Sequence, residues 1–365
     1  MIQRLILTAL ITALLVMPAA YAQIQPLPQF SHPTDFFLEV AKGNVRGHVL
    51  FAKFGENPEI AAVSGFEDIW DAGGTYATPT APSLHNVVSS LAADAGTVVS
   101  SGTATGGDRN TLIDGLATFV SDGVAVGDLI LNDTDMLFGV VSEVTSETRL
   151  ATISGMTSPN SGISSPSAFF GASYRVVTDA STGASVLHIV GLDATRQRIE
   201  EFVVMNGVTI VPTTKAYSRQ YRGRVFATAS TDAAGTITST AQSGGTVTMQ
   251  IIDGNNQTLM AIYTCPVPKI CYITKWWGTI SKTTGGGAVA ILHLRGGTLD
   301  NAVTQGIGYI LQTRSIDNDG SSTFTYNYSV PVAIPGGSDL WVEADTTATV
   351  GVSSGFDVIE IHPDE

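Results

Sequence analysis

Apolar and polar residues alternate at every second position through much of this chain, the period of a strand with one buried face. Leu187 and Ile189 share one face of such a run, and Ile199, Phe202 and Val204 mark its return after the turn at 191–197. Phe324, Tyr326 and Tyr328 alternate with Thr325 and Asn327. The stretch 257–280 differs. Leu259, Ala261, Tyr263 and Cys265 share one parity, Met260, Ile262 and Thr264 the other, and both faces are largely apolar. That pattern predicts a strand covered on both sides. Pro266, Val267, Pro268 and Lys269 then predict a turn, with Tyr272 to Trp277 as the return strand of a hairpin. Runs of Glu, Lys, Arg, Ala and Leu at helical spacing are mostly missing. The expected class is all-β.

Glycine and proline punctuation divides the chain further. Residues 23–55 read as a proline-rich arm and docking segment in which FFLEVA (36–41) is a strand or one helical turn. A β-domain is expected from 56–102 plus 179–235, interrupted by an inserted module at 103–178. Before the insert, AADAGTVVSSGTATGGD reads as a small-residue linker. Five or so short strands in the insert suggest a small barrel of SH3-like type. Strand signals at intervals of roughly 8–12 residues mark a last sandwich over 236–365, with TVTMQI as its first strand.

Composition narrows the function classes. The chain has 365 residues and a formal net charge of −14, with 18 Lys plus Arg against 32 Asp plus Glu. No basic face suited to phosphate neutralisation is visible, so a nucleic-acid partner is not expected. Arg219, Arg222 and Arg224, near Lys215, read as edge-strand charges that discourage pairing, with a phosphate site as the alternative. At the N-terminus, Arg4, an apolar run from Leu5 to Met17 and the Ala20-Tyr21-Ala22 pattern predict a signal peptide over 1–22.

Cys265 and Cys271 flank a five-residue turn, a spacing that fits a disulfide in an oxidising compartment, with free buried thiols as the alternative. No metal or cofactor is expected. The six histidines are scattered, and no nucleophile elbow or P-loop is present. Asp317-Asn318-Asp319-Gly320 and Asn132–Asp135 read as turns rather than calcium loops. The carboxylate pairs Glu67/Asp68 and Glu200/Glu201 would face opposite ways in a strand and read as solvated. Trp276 and Trp277 also fall on opposite faces, so one is core and the other could touch a neighbouring subunit or a glycan.

The strings DFFLEVAKGNVRGHVLFAKFGENPEI and EDIWDAGGTY, above all residues 38–58 and 67–76, resemble the opening of a family of tailed-bacteriophage virion structural proteins. These are head-decoration or head-fibre proteins of marine podovirus type. The block 187–222 resembles the family's paired strands, and the C-terminal block ending IPGGSDLWVEADTTATVGVSSGFDVIEI resembles its terminal jelly-roll-like sandwich. The resemblance implies a non-enzymatic protein on the virion surface. Its partners would be capsid or other virion proteins and further copies of itself, a trimer being one such homo-oligomer, docked through residues 36–76. The export signal supports a second reading, a secreted or periplasmic bacterial β-sandwich protein that binds glycans or a cell surface. A third is a glycan-depolymerising tailspike, which needs acidic residues clustered on a concave face.

Overall fold

The computed structural model describes residues 33–42, 44–62, 65–157, 169–178, 182–226, 232–282, 287–298, 307–317 and 322–363. The expected signal peptide lies outside them, as does most of the proline-rich arm. The chain divides into two compact units, Met1–Glu39 and Val40–Glu365. FFLEVA is helical, within α1 (Pro33–Ala41).

The remaining described elements are strands. In chain order they are β1 (His48–Ile60), β2 (Glu67–Asp68), β3 (His85–Ser89), β4 (Thr97–Thr103), β5 (Gly106–Asp108), β6 (Thr111–Ile113), β7 (Leu129–Asn132) and β8 (Leu137–Ser146). Then follow β9 (Arg149–Thr157), β10 (Ser173–Thr178), β11 (Val186–Leu192), β12 (Arg198–Val204), β13 (Val211–Pro212), β14 (Arg219–Phe226), β15 (Ile237–Ala241) and β16 (Val247–Ile251). Last come β17 (Ile262–Thr264), β18 (Ile270–Lys282), β19 (Val289–Thr298), β20 (Ile307–Asp317), β21 (Thr323–Pro335), β22 (Asp339–Thr346) and β23 (Val350–Ile361). The protein is all-β, as the alternation predicts.

Three modules account for the sheets. The C-terminal sandwich faces a sheet ordered β1-β23-β18-β21 against one ordered β17-β22-β19-β20, with β2 also on β22. Its core holds Phe51, Trp276, Phe356 and Val358 from the first sheet and Tyr263, Leu292, Leu294 and Val342 from the second. The expected docking segment therefore ends inside this sandwich. β1 pairs antiparallel with β23 from His48↔Ile361 to Ile60↔Val350. Its alternation puts Phe51, Lys53, Gly55 and Asn57 inward. Gly55 is required there, because a Cβ would lie 2.3 Å from the amide nitrogen of Ala261. Partners 290 to 313 residues downstream leave no local trace in sequence, which is why residue 55 looked like a boundary.

The middle sandwich sets β12-β11-β14 against β13-β3-β15-β16. Leu187, Ile189, Tyr217, Ile237 and Met249 form its core. TVTMQI, expected to start the last domain, is instead an edge strand here, paired with β15. The inserted module is one sheet ordered β4-β10-β7-β8-β9-β6-β5 around Leu112, Phe119, Phe169 and Tyr174. β4 runs almost directly into β5, and these two are the ends of the sheet order, so the sheet curls round on one kinked strand. The small-residue stretch expected as a linker thus supplies β4. Its Ser100 to Thr103 pair with β10, which gives small polar residues a ladder that composition does not announce.

β11 ties the modules together. All seven of its residues are buried. Leu187 and Ile189 enter the middle core. On the other parity, Val186 packs with Leu129, Leu131 and Val177 of the insert, while Val190 and Leu192 join the C-terminal core.

The cysteine stretch keeps its two strands and its turn but forms no hairpin. β17 pairs with β22 in one sheet, and β18 pairs with β23 and β21 in the other. Cys265 and Cys271 are disulfide-bonded across this corner, with Cα atoms 5.9 Å apart. The doubly apolar pattern has its reason here: each strand has the opposite sheet on one side, and β17 has the middle sandwich nearby.

Candidate functional site

The densest polar chemistry lies where the middle and C-terminal sandwiches meet, and it begins with residues whose types suggest surface. Glu360, near the end of β23, is fully buried. Arg198 of β12 donates to it at 2.7 Å, Lys269 from the disulfide turn at 2.6 Å, and the Tyr263 hydroxyl at 2.6 Å. Burial alone would raise this carboxyl, but Arg198 and Lys269 hold it below its ordinary value. Burial and the nearby Glu360 both keep the Tyr263 phenol neutral, well above its usual range.

Beside this group, Asp339 at the start of β22 is also fully buried. Arg219 reaches both of its oxygens at 3.2 Å, Thr264 donates its hydroxyl to it, and Arg196 lies 3.7 Å away. Arg222 donates to the Ala52 carbonyl of β1 and stacks 3.9 Å over the Phe51 ring. Burial, followed by the charge of Arg224, lowers its pKa to about 9. Lys53 donates to the Tyr221 carbonyl, and burial depresses its pKa well below the ordinary lysine value.

The arginines expected as edge charges are thus fasteners between modules. β14 is indeed an edge strand, but Arg219 and Arg222 point into the junction rather than to water. The carboxylate pairs are also not solvated. Glu200 meets His188 at 3.0 Å, while Glu201 accepts from the Thr214 amide and hydroxyl at 2.8 and 2.7 Å. Glu67 accepts from Asn57 and Gly74, and Asp68 from the Tyr76 amide at 2.7 Å. The expectation that neighbours in a strand face opposite ways holds for Glu200 and Glu201.

Chemically this junction is built to hold rather than to react. Glu360 and Asp339 each accept from several donors, among them the hydroxyls of Tyr263 and Thr264, and the Tyr221 hydroxyl accepts from Arg198. Removing one partner from such a buried pair costs roughly 3–5 kcal/mol, because the other charge is left without compensation. Among the described residues, no group of three or more His, Cys, Asp or Glu converges as a metal ion would need. Asn132–Asp135 is a turn closed on itself, with Asn132 Oδ1 accepting from the Thr134 and Asp135 amides and Asp133 bound to Arg175. Residues 318–320 of the other calcium-like fragment lie outside the described residues. A shallow open pocket at Arg224, Val225, Phe226, Asn256 and Gln257 brings one cation and two amides together.

The two tryptophans separate as parity requires. Trp276 is fully buried, edge-on to Phe324 with ring centres 4.7 Å apart, and donates its indole N–H to Ser354. Trp277 is half-buried on the outer face of the β1-β23-β18-β21 sheet. Of the two, only Trp277 keeps part of its surface accessible.

The sequence matches no family model and no curated protein.

Proposed function

We propose that the chain is a non-enzymatic structural protein displayed on the surface of a tailed-phage virion. The observation that carries this reading is the winding of the C-terminal sandwich. Taken in chain order, β1, β17, β18, β19, β20, β21, β22 and β23 cross between the two sheets at every connection except β19 to β20, which are paired neighbours, and the sheet orders are β1-β23-β18-β21 and β17-β22-β19-β20. We read this as an eight-stranded jelly roll, an architecture used by viral capsid and lectin domains. The middle sandwich and the inserted small barrel are then one insertion between its first two strands. The segments that carry the phage resemblance, residues 38–58 and 67–76, supply most of that first strand and β2, which pairs with β22 of the opposite sheet. Buried ion pairs weld the insertion to the jelly roll, as suits a particle component that must hold its shape.

A fold does not by itself select a function, so the test is location. Mass spectrometry of gradient-purified particles should detect the protein at a copy number comparable to other structural components. Its absence from particles, with abundant protein in the cell envelope, would overturn the reading. The second reading, an exported glycan-binding β-sandwich protein, is favoured by one observation, the half-buried indole of Trp277 on the outer face of its sheet.

A further inference from the structure

The outer face of the β1-β23-β18-β21 sheet carries a small aromatic platform framed by hydrogen-bonding groups. Strand register puts Phe54, Gly355, Trp277 and Thr325 in one row across all four strands. Gly355 carries no side chain, and the Trp277 indole lies across it: a Cβ there would sit 2.8 Å from two indole carbons. Phe54, on the far side of the glycine, keeps 36% of its surface exposed. The glycine therefore makes room for the indole to lie over β23 toward Phe54 instead of standing off the sheet.

The rows on either side are polar. On one side Lys275 sits between Asp357 and Asn327, and on the other Thr279 sits between Ser353 and Thr323, with Glu56 next to Ser353. Same-face rows lie about 7 Å from one another along a strand. A ligand lying on the indole would thus have donors and acceptors within reach at both edges.

We propose that this face binds a neutral pyranose glycan, with the apolar C–H face of one sugar ring on Trp277 and its rim hydroxyls toward Lys275, Asp357 and Asn327. Three features select that chemistry. Two aromatic rings enclosed by polar rows make an apolar area of sugar size, whereas the centre of a protein interface is a broader apolar patch depleted of charge. Lys275 and Asp357 oppose each other in register and Glu56 adds a second carboxylate, so the frame has no excess of positive charge and suits hydroxyls rather than anionic groups. The chain's net charge of −14 disfavours an anionic polysaccharide. The site does not depend on the virion assignment: particle content tests one, and binding by the purified chain tests the other.

The fluorescence of the protein offers a direct readout. Of its four tryptophans, Trp70, Trp276 and Trp341 are buried, so iodide quenching reports chiefly on Trp277. The full chain should be screened on an array of neutral oligosaccharides built from glucose, galactose, mannose and N-acetylglucosamine, with sialylated and sulfated glycans alongside. The expected result is binding to a subset of the neutral glycans, with iodide quenching reduced at saturation. Affinity should fall at least tenfold in Trp277→Ala and several-fold in Asp357→Asn. Trp277→Tyr, which keeps a ring over Gly355, should retain part of the affinity and serves as the control if the alanine variant fails to fold. A blank array, binding confined to anionic glycans, or affinity unchanged in both the tyrosine and asparagine variants would overturn the proposal.

Discussion

Trp276 and Trp277 are neighbours of identical chemistry, yet one is sealed in a core and the other looks outward. Strand parity alone predicts that split. The buried charges were not legible in the same way. Glu360, Asp339, Arg219 and Lys53 are residue types that usually face water, and each is buried only because a partner distant in sequence meets it. Arg198→Ala should remove the main counter-charge of Glu360 and cost about 3 kcal/mol in denaturant unfolding, the low end for a broken buried pair because Lys269 and Tyr263 remain. Arg175→Ala, on the more exposed pair with Asp133, should cost about 1 kcal/mol or less. Equal losses would contradict the junction's role as a fastener. The buried carboxyls near β2 add a pH signature. Burial pushes Asp68 up to about 7 and Asp71 up to about 8. Between about pH 4 and those values the folded state holds protons that the unfolded state has released. The stability they contribute is complete below the unfolded value and is lost as pH rises through 7 and 8. Lys53, depressed by burial, slopes the opposite way, so the informative comparison is between variants. Relative to Asp71→Asn, the parent protein should lose melting temperature between pH 5.5 and 8.5, and parallel profiles would refute this.

At the scale of elements, alternation located strands well and partners poorly. The apolar double face of 259–265 announced cover on both sides, and β17 is covered so. The same stretch read as a hairpin because two strands around a short turn usually pair with each other. Here Pro266 and Pro268, which lack amide donors, sit at a corner where the chain crosses between sheets. Likewise, β1 reads locally as an arm and β16 as the start of a domain, because pairing over hundreds of residues is set by the assembled core. The placement of β1 makes a sharp prediction. A chain starting at residue 44 should unfold cooperatively at nearly the parent midpoint. A chain starting at residue 62 loses Phe51 and Ile60 from the core and strips β23 of a ladder partner. That chain should be insoluble or should unfold at markedly lower denaturant concentration. If both truncations behaved alike, β1 would not be a founding strand of the sandwich.

At the scale of the molecule, the sheets group into three modules whose borders differ from those read from sequence. Residues 97–178 form a seven-stranded sheet of their own, and the terminal sandwich takes its first strand from the other end of the described chain. The insertion between that strand and β17 is anchored on both parities of β11, so the modules share cores rather than hanging on linkers. This construction fits a displayed, load-resisting particle component. Immunogold labelling of intact purified particles, with antibodies raised against the barrel at 97–178, tests that claim most directly. Gold on the outside of heads or fibres is the predicted result. Unlabelled particles, with label on the cell envelope instead, would contradict it.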